Sequence, residues 1–260
     1  MTRAHWVFAA AYDPMTRPLE RAVLGEYRAR LLAGLAGHVL DVGAGTGAAN
    51  AALRAAGAIT LAVDLSQPML AWQAAARPPC AVADVRALPL SASSVDDCLA
   101  AFVLNHLTDP VAGLAELARV TRPGGAVMAA VFGTDGRHEA RDRIDAAALA
   151  AGWEVPAWYR DMKTSAVPLL GTGSAMAAAA RAAGLACVQA EEREVNVGIA
   201  EPRKLVRYRL GHPAFATWLD SLGPRRAAAF ALAAEHAAGA DMEPYRPAVV
   251  FLRALTPNRN

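Results

Sequence analysis

The residues best suited to chemistry stand in the run Asp41-Val42-Gly43-Ala44-Gly45-Thr46-Gly47 and in three isolated positions after it, Asp64, Asp84 and His106. Glycine has no Cβ, so it adopts positive φ at little cost and lets the backbone close on a ligand. Gly43, Gly45 and Gly47 lie between a short apolar run and an alanine-rich stretch, which suits a turn from a strand into a helix. Asp64 follows about 20 residues later, where an acidic side chain suits ribose hydroxyls. A carboxylate takes two hydrogen bonds from a vicinal diol and brings no competing donor. His106 is the candidate proton acceptor, because imidazole titrates near neutrality. Plainer roles stand beside these. Asp41 could cap its turn, Asp84 could be a solvated turn residue, and His106 could hydrogen-bond the loop around Thr108 and Asp109.

These positions need a scaffold that delivers them to one place. Residues 5–36 read as helical, with Leu19, Val23, Leu24, Tyr27, Leu31 and Leu32 at helical spacing. Strands are predicted at 38–42, 59–63, 81–83, 97–104 and 126–132, alternating with helices at 48–56, 68–76 and 111–121. That alternation implies right-handed βαβ units and a mostly parallel sheet with helices on both faces. Ligands bind such sheets at the carboxyl ends of the strands, where Asp41, Asp64, Asp84 and His106 fall. The second half is less regular. It predicts a helix at 174–183, strands at 185–197 and 248–255, and two irregular stretches, 134–170 and 200–245, that read as a helical lid. The chain is expected to be one domain: a helical cap at 1–36, a ligand-binding half at 37–133, lid-like insertions at 134–170 and 200–245, and the remaining core at 171–199 and 246–257.

Composition excludes several classes. The chain has 260 residues, 55 % of them apolar and 19 % charged, so a large core is expected and disorder is not. A formal net charge of +2 gives no reason to expect strong attraction to nucleic acid or anionic membrane. No apolar run approaches the roughly 18 residues of a membrane span, and the N-terminus does not read as a signal peptide. Cys80, Cys98 and Cys187 are scattered without ligand spacing, so no metal site is expected and a reducing, cytoplasmic setting fits.

Gly43-x-Gly45-x-x-Ala48 also satisfies the dinucleotide fingerprint, so the glycines alone do not decide between cofactors. Four blocks in order do more: VLDVGAGTG, AVDLSQPML, ADVRALPLSASSVDDCLAAFVLNHLTDP and ELARVTRPGG. Together they resemble the class I S-adenosylmethionine (SAM) dependent methyltransferases, especially the small-molecule branch that includes quinone-biosynthesis enzymes. The resemblance covers residues 5–132 well and the remainder loosely. It implies a Rossmann-like class I methyltransferase fold with SAM as cofactor. By that resemblance the backbone at Gly43 and Gly45 packs against the methionine part of SAM, Gly47 also belongs to the cofactor site, and Asp41 sits near the SAM amino group. Asp64 accepts from the ribose hydroxyls, Leu65 and Met69 flank the adenine, Asp84 takes its amino group, and the Val85 N–H faces the ring. Backbone around Ala100 and Ala101 borders the methionine amino group. Met69 could equally be helix core.

The segment AAFVLNH lacks the Asp/Asn-Pro-Pro-aromatic signature of adenine-amino DNA methyltransferases, and Pro79-Cys80 precedes the third strand, the wrong place for a cytosine-5 nucleophile. The expected reaction is methyl transfer to O, N or C of a hydrophobic small molecule, with His106 as base, no metal and no nucleic acid. Oligomeric state is left open by the sequence. Tyr12, Trp153, Trp158 and Tyr159 are candidates for the acceptor pocket, although core packing explains such aromatics equally well. His5 and Trp6 could join Tyr12 in closing over the cofactor. Arg203, Lys204, Arg207 and Arg209, near His212, form either a solvated helix face or an anchor for an acidic acceptor. Two other readings are a SAM-binding protein that uses the cofactor without transfer, such as a cyclase, and a nicotinamide-dependent enzyme.

Overall fold

A computed structural model describes residues 37–134 and 136–258. The N-terminal segment expected to be a helical cap, with His5, Trp6 and Tyr12, lies outside the described residues. Seven strands form one sheet in the order β3-β2-β1-β4-β5-β7-β6. They are β1 (Gly37–Val42), β2 (Ala58–Asp64), β3 (Cys80–Val82), β4 (Asp97–Ala101), β5 (Ala126–Phe132), β6 (Ala186–Glu194) and β7 (Ala248–Leu255). β1 to β5 are parallel. β7 runs antiparallel to β5, from Ala126 opposite Leu255 to Phe132 opposite Val249, and β6 is antiparallel to β7. The order steps outward from β1 through β2 to β3, then crosses to β4. That reversal opens a crevice at the carboxyl end of β1.

The central strands are almost wholly apolar because both faces are covered. Side chains alternate between two cores. Val39, Leu99, Met128, Ala130, Val249 and Phe251 face one; Leu40, Val42, Cys98, Ala100, Val127 and Val250 face the other. The first core takes in helices α1 (Asn50–Ala55), α4 (Glu139–Ala150), α8 (Pro202–Leu210) and α9 (Pro213–Ala238) through Leu53, Ile144, Val206 and Phe215. The second takes in α3 (Pro110–Val120) and α7 (Gly173–Ala182) through Leu114, Leu117 and Met176. Short helices α2 (Gln67–Ala71), α5 (Ala157–Asp161) and α6 (Val167–Leu170) complete the described set.

Three elements differ from the sequence-based expectation. The helix expected over 68–76 stops at Ala71; Gln73 turns left-handed (φ 51°), and a 3-10 turn covers Ala74–Ala76. The strand expected to reach Leu104 stops at Ala101, because Phe102 takes φ 59° and the chain enters a 3-10 turn, Leu104–His106. The last expected strand before the long connection ends at Glu194 instead of Val197. The 200–245 segment resolves into α8 and α9, the latter kinked at Gly223 just before Pro224. In 134–170, α4 and α5 are followed by a π turn, Met162–Ala166, that rests against Leu104–His106.

Candidate functional site

The site begins where β1 runs out. Asp41 is buried at 1 % exposure, pointing from the sheet toward the crevice. Two residues on, Gly43 takes φ 70° and donates its N–H to the Val63 carbonyl at 2.8 Å. A Cβ on Gly43 would stand 2.4 Å from Cβ of Val103, so no larger residue fits without displacing the end of β4. Gly45 (φ 51°) donates its N–H to Oδ2 of Asp64 at 2.8 Å, and the Ser66 N–H binds Oδ1 at 2.7 Å. The Asp64 carboxylate is thereby fixed by one backbone donor per oxygen, and each oxygen keeps capacity to accept another. Gly47 (φ 86°) closes the turn against Asn50.

Arg77 was not visible as a site residue in the sequence. Its Nη1 donates to the carbonyls of Gly45 (2.7 Å), Met69 (2.8 Å) and Leu70 (3.2 Å), tying the glycine turn to α2. No local pattern signals a side chain that reaches back 32 positions.

A cleft opens between Asp41, Gly43, Ala44, Ala48, Ala49, Ala101 and Phe102. Buried polar atoms without a hydrogen-bond partner among the described residues include Oδ2 of Asp41, which lines the cleft, and Oγ1 of Thr46, Oδ1 of Asn50 and Oδ1 of Asn105. Such groups cost free energy unless something completes them. Burial pushes the Asp41 carboxyl up to about 7, against the pull of Arg77 and with the Asp64 charge adding to the rise. An acid in that state is poised to pair with an arriving cation. Phe102 sustains a left-handed backbone that an aromatic residue rarely adopts, a kind of strain that concentrates at ligand sites. Its ring meets that of Phe132 at a tilt, with centroids 4.7 Å apart.

The other predicted contacts divide. The Met69 methyl lies 3.6 Å from where a Gly45 Cβ would be, and Leu65 is 51 % exposed, free to cover a flat ring. The Val85 side chain belongs to the core, so only its backbone can face a ligand. Asp84 is turned to Arg86 in a two-pronged ion pair (2.6 Å between Nη2 and Oδ2), which lowers its carboxyl to about 2. It keeps lone pairs, but its first partner is Arg86.

His106 stands at the end of the 3-10 turn after β4, exposed at its surface with protein packed around it. That surrounding lowers the imidazole below its ordinary value, while Asp64 pulls it upward. Beyond it lies His212, the cap of α9, whose ring is 4.8 Å from Tyr159 and stacked toward Trp158 at 6.4 Å. Burial, together with the charges of Arg209, Lys163 and His106, holds His212 well below the usual histidine range. Tyr159 is buried, and of the two aromatics only Trp158 presents an exposed face.

Trp153 corrects the expectation of a pocket aromatic. It is 3 % exposed, stacks on Phe215 at 4.0 Å and donates its indole N–H to the Ala214 carbonyl at 2.9 Å, so it joins α4 to α9. Tyr12 lies outside the described residues. The basic stretch splits as well. Arg203, Lys204 and Arg207 face solvent, with Lys204 on Glu201. Only Arg209 turns inward, where it grips both oxygens of Asp145 at 2.6 and 2.7 Å and donates to the Tyr159 hydroxyl at 3.2 Å. Among the described residues no group of three His, Cys, Asp or Glu is arranged to hold a metal ion, and no helix is long and apolar enough to cross a membrane.

Residues 40–129 match the family model described as "Methyltransferase domain". A demethylmenaquinone methyltransferase of Mycolicibacterium paratuberculosis is 39 % identical over 128 residues, 49 % of this chain and 53 % of that protein. One from Mycobacterium sp. (strain KMS) is 40 % identical over 97 residues, covering 37 % of this chain and 42 % of that protein. The match thus spans about half the length of these curated relatives. Among solved structures, phosphoethanolamine N-methyltransferase 2 of Haemonchus contortus, in complex with phosphomonomethylethanolamine and S-adenosylhomocysteine, aligns with a TM-score of 0.59 at 18 % identity. That alignment covers 96 % of this chain and 57 % of that one. The [4+2]-cyclase SpnF aligns with a TM-score of 0.56 at 21 % identity, over 92 % of this chain and 81 % of the other. The fold is the Rossmann-like class I methyltransferase fold.

Proposed function

We propose that this chain, whose residues 40–129 match the methyltransferase-domain model, transfers a methyl group from SAM to O, N or C of an apolar small molecule. The observation that carries this reading is the buried Asp41 oxygen, without a partner among the described residues, just before the glycine turn whose Gly45 N–H holds the Asp64 carboxylate. Two acids at one turn suit a ligand with an ammonium at one end and a vicinal diol at the other. The orphaned Thr46 and Asn105 oxygens offer further acceptors.

SAM, when bound, supplies a methyl group already activated by the neighbouring sulfonium charge. The chain's task is then alignment and exclusion of water. Asp41 holds the amino group, Asp64 the ribose, Leu65 and Met69 cover the adenine, and the Val85 N–H with Asp84 completes that end. His106, kept neutral near pH 7 by its surroundings, accepts a proton from an acceptor that must lose one. The segments 134–170 and 200–245 act as the lid that brings acceptor contacts, through Trp158 and Tyr159, to the His106 side.

A second reading has one observation in its favour: the fold is shared with a cyclase, so the fold by itself does not fix methyl transfer. The experiment compares cofactors first. S-adenosylhomocysteine raises the melting temperature and NAD or NADP does not. A nicotinamide shift without a homocysteine shift refutes the assignment. With an acceptor in hand, label passes from SAM to product, and His106→Ala lowers kcat by about 10²-fold or more with cofactor affinity unchanged. Turnover without label transfer would favour the cyclase reading.

A further inference from the structure

The lid contains a cation that the reading above leaves idle. This chain is rich in arginine, and Lys163 is one of its two lysines. It sits in the π turn Met162–Ala166, the element that packs on the Leu104–His106 turn. Its Nζ is 5.9 Å from the centre of the Tyr159 ring, and the guanidinium of Arg209 is 5.6 Å from the same ring. The neighbouring cations are already matched: Arg209 by Asp145, and Arg141 by Asp142 at 3.2 Å. Among the described residues no carboxylate stands within ion-pair distance of Lys163. Its surroundings add to this. Lys163 is exposed at its surface, yet the protein packed along its side chain, with Arg141 and Arg209, pushes its ammonium down to about 8, and Asp145 pulls the other way. A cation crowded by like charges gains most from an anion that arrives beside it. Next to it, Trp158 is 49 % exposed and meets Tyr159 edge-on at 5.6 Å, an apolar surface left open.

We propose that Lys163, with the exposed face of Trp158, forms an acceptor subsite for an anionic oxygen group carried on a flat apolar body. The subsite rests on the methyltransferase reading and names the substrate class that reading leaves open. Lys163 supplies the charge, Trp158 supplies the surface, and the turn that carries Lys163 packs on the Leu104–His106 turn.

With two lysines in the sequence, the chain labelled with [ε-13C]lysine gives two side-chain signals. Lys163→Gln assigns them. The full chain loaded with S-adenosylhomocysteine is titrated with 2-naphthoate and, separately, with naphthalene-2-carboxamide. Naphthoate moves the Lys163 signal saturably and raises its titration midpoint from about 8 toward the ordinary lysine range, while Lys204 stays put. The carboxamide binds about tenfold more weakly or worse and leaves the midpoint in place. Lys163→Gln abolishes the preference and Lys163→Arg restores it. A Lys163 midpoint unmoved by naphthoate, equal binding of the two probes, or a preference that survives Lys163→Gln overturns the proposal. Calorimetry with S-adenosylhomocysteine alone reads the cofactor separately. Its failure removes the methyltransferase reading, whereas the Lys163 response still reports on the anion subsite.

Discussion

Asp41 combines full burial with an oxygen that nothing in the described chain satisfies, and the consequence is a specific pH signature. Its carboxyl is held at about 7 in the folded chain, against 3.8 as the ordinary value. Between those values the folded state binds more protons than the unfolded state. This group's contribution to stability is therefore largest at the acid end and declines as pH rises to about 7. Urea unfolding of the cofactor-free protein should show that decline, and Asp41→Asn should remove it. Ammonium binding has the opposite preference, since it needs the carboxylate. Affinity for S-adenosylhomocysteine should rise by about tenfold in all between pH 6 and 8. Asp41→Asn should weaken binding by about 1.5–3 kcal/mol and flatten the profile in calorimetry. A pH-independent wild type would remove Asp41 from the ammonium site.

At the scale of elements, the glycine turn and the end of β4 are built against each other. Gly43 has positive φ, and its missing Cβ leaves room for Val103 immediately after the left-handed Phe102. Two costs follow for Gly43→Ala: backbone strain and a collision with a β-branched side chain that has few rotamers to offer. Together they should destabilise the protein by roughly 2–4 kcal/mol. They should also weaken S-adenosylhomocysteine binding, because the Asp41 to Gly45 segment shifts. Adding Val103→Ala should recover the collision part and leave the φ part. Chemical denaturation of the two variants reads both, and a double variant no more stable than the single one would show that Val103 is not the obstacle.

At the scale of the whole molecule, the helical segments on one face of the sheet share a single core with its strands. Trp153, Phe215 and Arg209 make a stack, with the guanidinium 4.7 Å from the Phe215 ring and its charge matched by Asp145. This layer fixes Trp158, Tyr159, Lys163 and His212 relative to His106. Trp153→Ala should cost about 3–5 kcal/mol, the ordinary penalty for removing a large buried aromatic. The loss should appear in urea unfolding, with cofactor affinity of the folded protein unchanged. An unchanged unfolding midpoint accompanied by weaker acceptor binding would return Trp153 to the pocket.

The sequence by itself determined the alternation of strands and helices up to Phe132. Strand–turn–helix punctuation is local, so spacing and glycine chemistry set Asp41, Gly43, Gly45, Gly47 and Asp64 at strand ends and a turn, whereas SAM as the cofactor came from the resemblance of four ordered blocks. The structure then joined Gly45 to Asp64 by a hydrogen bond. Helix and strand spans were legible where apolar runs were long, as at Ala126–Phe132 and Ala248–Leu255. They failed where a single left-handed residue such as Gln73 or Phe102 ended an element, since non-glycine residues carry no sign of positive φ. Only the tertiary structure decided which aromatics face a cleft and which pack. Trp153 and Trp158 are five positions apart, yet one is buried on Phe215 and the other half exposed. It alone brought Arg77 to the glycine turn and set Lys163 beside Tyr159. Those contacts join side chains from separate elements, and their burial and partners are set by packing across the chain, which no local pattern encodes.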